Sequence, residues 1–328
     1  MPISKSLLAA VAMLMLGAAA PDALAQTNLP NRPIRLLVPF APGGGVDVVA
    51  RIVGQKVSEQ IGQTVIVESK PGAGGALAVN ELMRSEADGT TLLATTSSHA
   101  TLPILSKLSW HSSNDFTPVA SIYSTMFVMP TNAASTSRFK TLPEFIAYLR
   151  ANPGKINWGS SGIAGPQHLA GARFAKTAGL EMVHVPYRGN GPMLQALLQN
   201  EVQLTFDTPT LVLPHIASGK LVPLAVTGER RMAKLPNVPT VKESGIDYST
   251  DVRIFVLAPK GVPAPVAALL NKEFVVALDD KNVRERLVGF GLEVPEGRTN
   301  TPADLKKHID DFAAVYGKLI NDLNIKAE

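Results

Sequence analysis

Cysteine is absent from all 328 residues. That excludes disulfides, thiolate metal sites and cysteine nucleophiles together. Aromatic residues make up only 5% of the chain, and 31 basic residues are scattered among 27 acidic ones for a net charge of +4. A nucleic-acid binder needs a basic stripe interleaved with aromatics, and there is none. Beyond the N-terminus no stretch approaches the ~18 uninterrupted apolar residues of a membrane helix. His99, His111, His168, His184, His215 and His308 form no pair at i, i+3 or i+4 and no H-E-x-x-H, so their spacing marks no metal site. Pro71-Gly72-Ala73-Gly74-Gly75 fails as a dinucleotide fingerprint because position 77 is Leu. No cofactor motif is left.

What is present starts with Lys5, the apolar and small run Leu7 to Ala20, and Ala23-Leu24-Ala25. A basic start, a short apolar core and an A-x-A exit predict a secretory signal peptide over 1–25, cleaved after Ala25, and a soluble periplasmic product. The alternative is a retained N-terminal anchor. The remaining 303 of 328 residues suit about two domains, and 45% hydrophobic residues allow cores that need no disulfide.

Short apolar strands alternate with amphipathic helices, the pattern of an α/β protein with mostly parallel sheets. Ile34 to Val38 reads as a strand. A helix follows from about Asp47, with Val48, Val49, Ile52, Val53 and Val57 on one face. Thr141-Leu142-Pro143-Glu144 is a capping box. Further strands are expected at Ile156 to Trp158, Val183 to Val185, Val202 to Phe206 and Leu224 to Thr227, and Thr301 opens a last helix. No repeat or long linker occurs, so the backbone is expected to cross between domains more than once. Phe127 to Met129 and Ile254 to Ala258 are the candidate crossings. The expected division is 26–125 with 252–328 as one discontinuous domain and 126–251 as the other.

Pro39-Phe40-Ala41-Pro42-Gly43-Gly44-Gly45-Val46-Asp47 joins a strand to a helix. Glycines there admit a ligand to the backbone, and the helix start offers unpaired N–H groups to an anion. The segment lacks the Lys-Ser/Thr ending of a nucleotide P-loop, and Asp47 reads as a cap rather than a base. A turn without a ligand is the plainer alternative. Asn157-Trp158-Gly159-Ser160-Ser161-Gly162-Ile163-Ala164-Gly165 repeats the design before a helix at Pro166. It is not a nucleophile elbow, because Ile163 breaks G-x-S-x-G. Two such loops, one from each half, suggest a cleft that grips a carboxylate from both sides. His99 either lines that cleft or supports it, and His168 either contacts the ligand or caps its helix.

In order along the chain stand Arg32-Pro33-Ile34-Arg35 before the first loop, then Glu68 to Gly75, Asp88-Gly89-Thr90-Thr91-Leu92-Leu93 and Asp115-Phe116-Thr117-Pro118-Val119. Gly159-Ser160-Ser161-Gly162, His168-Leu169-Ala170-Gly171, His184-Val185-Pro186-Tyr187-Arg188-Gly189 and Phe206-Asp207 follow. Leu224-Ala225-Val226-Thr227 and Leu235-Pro236-Asn237-Val238-Pro239-Thr240 complete the series. Through these segments the chain resembles the Bug family of extracytoplasmic receptors for tripartite tricarboxylate transporters. The resemblance implies a type II periplasmic-binding-protein fold: two α/β domains, two crossings and a ligand cleft between them. It implies a non-enzymatic receptor that hands a small organic acid to a large and a small membrane subunit, with no cofactor; one receptor per closure event makes a monomer the simplest expectation. By position it nominates Phe40, Ala41, Pro42, Gly43, Gly44, Val46 and Asp47 on one side. Ser160, Ser161, Gly162, Gly165 and His168 stand on the other, with Ser98, His99 and Asp207 on the walls.

Three departures from the family pattern bear on the ligand. Val46 replaces a usual Thr or Ser, Pro166 replaces a common Ser and removes one N–H at a position where Pro is tolerated, and Val252 to Leu257 lacks the usual Trp and Gly. A more apolar pocket is expected, one that takes an aromatic or longer-chain acid. A sensor subunit feeding a membrane histidine kinase would use the same cleft. A secreted hydrolase would need a positioned nucleophile and base, and no recognised arrangement of them occurs.

Overall fold

The computed structural model describes residues 29–326, so the signal-peptide segment lies outside it. The chain begins with β1 (Ile34–Val38), α1 (Gly45–Ile61), β2 (Val65–Ser69), α2 (Ala76–Met83), β3 (Thr91–Thr96), α3 (Ser98–Ser106) and β4 (Phe116–Met126). β1 and β3 are short apolar runs buried on both faces, as strands covered by helices on either side must be. α1 lays Val49, Ala50, Ile52, Val53 and Val57 on the core, while Val48 is 36% exposed. The expected face is thus narrower by one residue. Gly62 at φ +67° ends the helix by returning its N–H to the Ser58 carbonyl.

The second half runs β5 (Val128–Asn132), α4 (Leu142–Ala151), β6 (Asn157–Ser160), α5 (Pro166–Ala178), β7 (Val183–Pro186), α6 (Asn190–Leu198), β8 (Leu204–Thr205), α7 (Pro209–Ala217) and β9 (Leu221–Val226). The capping box at α4 forms with one change of partner. Thr141 Oγ1 accepts the Glu144 N–H at 3.3 Å, and Glu144 reaches back to the Lys140 N–H at 2.7 Å rather than to that of Thr141. The chain then returns through β10 (Asp251–Pro259) to α8 (Ala264–Asp279), α9 (Lys281–Gly289) and α10 (Pro302–Asp322).

The first sheet has the order β2-β1-β3-β10-β4, with β10 antiparallel to both neighbours. In the second half β7-β6-β8 are parallel and β5-β9 antiparallel. Val128 and Asp207 join the two pieces by exchanging backbone hydrogen bonds of 2.8 and 2.9 Å. The resulting order, β7-β6-β8-β5-β9, has the same plan as the first sheet. The result is a two-domain α/β fold. Ile254 to Ala258, expected as a crossing, is instead an interior strand, paired with β3 and β4. A continuous run of apolar residues does not tell a linker from a central strand.

The chain leaves the first sheet at Met126 and enters the second at Val128; on its return it passes from Val226 to Asp251. One side chain ties the two passages. Thr227 Oγ1 accepts the Phe127 N–H at 2.8 Å and donates to the Thr250 carbonyl at 2.7 Å. Since β10 begins, and β4 ends, at the carboxyl end of β3, these passages lie at the same edge as the loops that follow β1 and β3. The Val128–Asp207 pairing puts them at the carboxyl end of β8 too. A second tie is the packing of α5 on α10, where the Arg173 guanidinium lies 5.1 Å from the Tyr248 ring centre and 5.7 Å from that of Tyr316.

Candidate functional site

Both nominated loops leave carboxyl ends of parallel strands and face the space between the domains, where ligands of open α/β sheets bind. In the β1–α1 loop Ala41, Pro42, Gly43 and Gly44 are exposed, and Phe40 and Val46 are half-buried against the core. Gly43 has φ +77°, a conformation most side chains resist. Gly44 is the N-cap of α1 and offers no side-chain cap, so the first-turn N–H groups of Gly45, Val46 and Asp47 remain for a guest. By contrast Thr141, Asp280 and Thr301 cap α4, α9 and α10 with their own side chains.

The Asp47 side chain is turned into the protein, so this residue offers a ligand only its backbone N–H. Its side chain is 2% exposed, and its carboxylate accepts the Gly43 N–H at 2.9 Å, the Ser69 hydroxyl at 2.9 Å, and Arg51 through Nε at 3.0 Å and Nη2 at 2.9 Å. Arg51, then the other donors, hold it below the usual carboxylate range against the cost of burial. It clamps the loop from beneath. Arg51 and Ser69 were invisible as partners in the sequence, although the i, i+4 spacing of Asp47 and Arg51 is a recognisable helix pair.

The β6–α5 loop has the same plan with different supports. Gly165, half-buried, caps α5 without a side chain, and Pro166 takes the first helical position. Gly162 and Ser161 are half-buried, but the Ser161 hydroxyl donates to Gln167 Oε1 at 2.8 Å, and Gln167 Nε2 donates to Asn190 Oδ1 at 2.8 Å. Ser161 therefore has only its backbone N–H to give. Ser160 is fully buried, with its Oγ 2.9 Å from the Gly162 carbonyl and 2.7 Å from His184 Nε2. His168 Nδ1 accepts the Ala164 N–H at 2.8 Å. Its ring lies 4.0 Å from that of His184 at 1° between planes, and Trp158 packs at a tilt against both, 4.4 Å from His184 and 5.8 Å from His168. The side chains of Ser160 and His168 are turned into the loop's support, and His168 holds the residue before the N-cap, so the start of α5 stays uncapped. Burial pushes both histidines down to about 4, so the stack is uncharged at neutral pH.

The Ser160–His184 pair has the separation of a nucleophile and its base. It lacks the rest of a catalytic site: Ser160 is sealed from solvent, and no acid orients His184.

The wall residues divide. Ser98 is half-buried at the start of α3, 2.7 Å from Thr96 Oγ1. His99 points into the core, 1% exposed, stacked on Trp110 at 5.0 Å and donating Nε2–H to the Ser112 carbonyl at 2.9 Å. It is not a wall residue; a helix begins at Ser98 and turns the next side chain inward. Asp207 is also enclosed. Thr205 donates to its Oδ2 at 2.6 Å, while Oδ1 has no partner. Burial pushes its carboxyl up to about 7, opposed by the Thr205 hydroxyl.

Among the described residues no group of three or more His, Asp or Glu side chains converges as a metal site requires, and no helix is long and apolar enough to cross a membrane. A surface groove of about 740 Å³ beside β2 and α2 is lined by Ser69, Lys70 and Arg84 among others, and contains none of the nominated residues.

Residues 49–325 match the tripartite tricarboxylate transporter family receptor. BugT of Bordetella pertussis is 32% identical over 279 residues, 84% of each chain. MatC from Rhodopseudomonas palustris, solved with bound malate, superposes with a TM-score of 0.77 at 28% identity, over 89% of this chain and 99% of that one. An R. palustris protein solved with adipate gives 0.79 at 29% identity, over 92% and 100%. With two α/β domains, paired glycine-capped loops and these likenesses, the chain belongs to the Bug family of tripartite tricarboxylate transporter receptors, which are periplasmic solute-binding proteins.

Proposed function

We propose that the protein, exported and cleaved after Ala25, captures a small organic carboxylate in the periplasm and delivers it to the large and small membrane subunits of a tripartite tricarboxylate-type transporter. It works as a monomer without turnover, and its domains, 26–125 with 252–328 and 126–251, close on the ligand about the passages at Phe127 and Thr227. The observation that carries the reading is the pair of uncapped helix starts at Gly44 and Gly165, one in each half of the chain, at the edge where the chain passes between them. Two sets of backbone N–H groups at helix N-termini favour a ligand with negative charge at both ends. Structures of relatives with malate and adipate support the chemical class. Half-buried Val46 beside the first loop favours the longer, more apolar end of that class.

A thermal-shift screen of the mature protein against mono-, di- and tricarboxylates, amino acids and aromatic acids tests the reading. A ligand at 100 times its dissociation constant stabilises by about 2.7 kcal/mol, visible as a raised Tm. A panel with no hit sinks the carboxylate assignment. Gly44→Val, whose Cβ would stand 3.2 Å from the Ala41 carbonyl oxygen, is expected to weaken binding about tenfold, ~1.4 kcal/mol, with little change in Tm. Unchanged affinity by calorimetry would remove this loop from the site.

A further inference from the structure

The clamp beneath the first loop contains an electrostatic conflict. Asp47 is the third residue of α1, and its carboxylate reaches the loop itself by accepting the Gly43 N–H. A permanent negative charge therefore lies directly under the N–H groups proposed to bind a ligand carboxylate. It occupies part of the helix's positive end and repels a second anion. Hydrogen bonds from Gly43 and Ser69 hold this charge but do not cancel it. Arg51 is the group that does, meeting both carboxylate oxygens in a forked pair while its own side chain stays 52% exposed.

The neighbouring cations are engaged elsewhere. Just past β2, the strand that supplies Ser69, Lys70 lies 3.5 Å from Glu68 and 3.4 Å from Glu81, and Arg35 binds the same two acids. That network is neutralised within itself. Arg51 is also the only charged group among the causes that lower the Asp47 carboxyl.

We propose that Arg51 is a positioning and charge-balancing residue for ligand binding: it cancels Asp47 so that the first loop accepts a carboxylate. This rests on the carboxylate reading above. It separates two functions of Asp47 that a single substitution would confuse, since the carboxylate both shapes the loop and opposes the ligand. Without Arg51 the shape is kept by Gly43 and Ser69, and the opposition remains.

The test is calorimetric titration of malate and adipate into the wild type, Arg51→Met, Arg51→Lys and the double variant Arg51→Met with Asp47→Asn at pH 8. Arg51→Met is expected to weaken binding tenfold or more at pH 8. Arg51→Lys should keep most of the affinity, and the double variant should recover most of what Arg51→Met loses. Circular dichroism melts confirm that each variant is folded. A double variant as weak as Arg51→Met, or an Arg51→Lys variant as weak as Arg51→Met, would show that Arg51 acts through loop shape alone and would overturn the proposal. A wild type that binds neither acid would overturn the dicarboxylate form of that reading and this proposal with it.

Discussion

Asp207→Asn is expected to make the protein more stable, and the gain should depend on pH. The wild-type carboxyl is fully buried, has one oxygen without a partner, and is pushed up to about 7. In the unfolded chain it loses its proton near the ordinary value of 3.8. Between these values the unfolded state holds fewer protons than the folded state, so stability falls as pH rises and the loss is complete above pH 7. At 1.36 kcal/mol per unit, the total is about 4 kcal/mol. Asparagine resembles the protonated acid in shape: its oxygen can accept from Thr205, and its amide never has to be charged. The variant and the wild type should therefore melt together near pH 4, separate progressively to pH 7, and keep a gap of several degrees above it. Melting curves from pH 4 to pH 9 read this directly. A gap that does not change with pH would mean that the Asp207 carboxylate is hydrated or paired in solution.

Gly171→Ala should destabilise, against the usual direction of that change. Gly171 lies within α5, where alanine would gain about 1 kcal/mol of helix propensity. A Cβ there would stand 2.2 Å from Trp158 Cζ3 and 2.6 Å from two further ring atoms. The ring has no room to retreat. It is 3% exposed and is held by His184 on one face and the edge of Phe206 beyond. Overpacking of this kind costs about 1–3 kcal/mol and upward, and so close an approach belongs at the upper end. A net loss of about 2 kcal/mol is expected. Because the displaced ring stacks on His184, which bonds Ser160, the β6–α5 loop should shift and ligand affinity should fall with stability. Trp158 is one of two tryptophans, so its emission reports the displacement. Unaltered emission and Tm would contradict the close fit.

Much of the fold was legible because periodicity and punctuation agree there. The β1 run and the Thr141 box both form where their residue types require. α3 was missed because Ser-His-Ala-Thr-Leu-Pro carries little helical pattern and contains Pro103. The passages between domains were half legible. Phe127 is a passage residue, but Ile254 to Ala258 has the same apolar character for a different reason, burial between two strands.

The loops were legible as loops, because glycine before a helix is a local signal. Which side chains face the interdomain space was not. Ser160, His168, His99 and Asp207 each sit beside a loop in sequence and turn away from it in space, and the partners that turn them lie 24 residues off for Ser160 and 13 for His99. His168 and Asp207 are turned by neighbours only 4 and 2 residues away, through ring acceptance and a hydroxyl that sequence alone does not aim.

The threonine tie at the two passages has a mechanical consequence. Two independent strands between rigid bodies permit bending, twisting and sliding. Here one hydroxyl fastens Phe127 to Thr250 through Thr227, and backbone bonds of 2.9 Å from Thr227 to Phe127 and 2.8 Å from Thr250 to Thr227 close the stitch. Strands laced in this way resist sliding past one another, and bending about the lacing is the softest motion left. Such a joint leaves the relation between the two sheets to be described by a single angle.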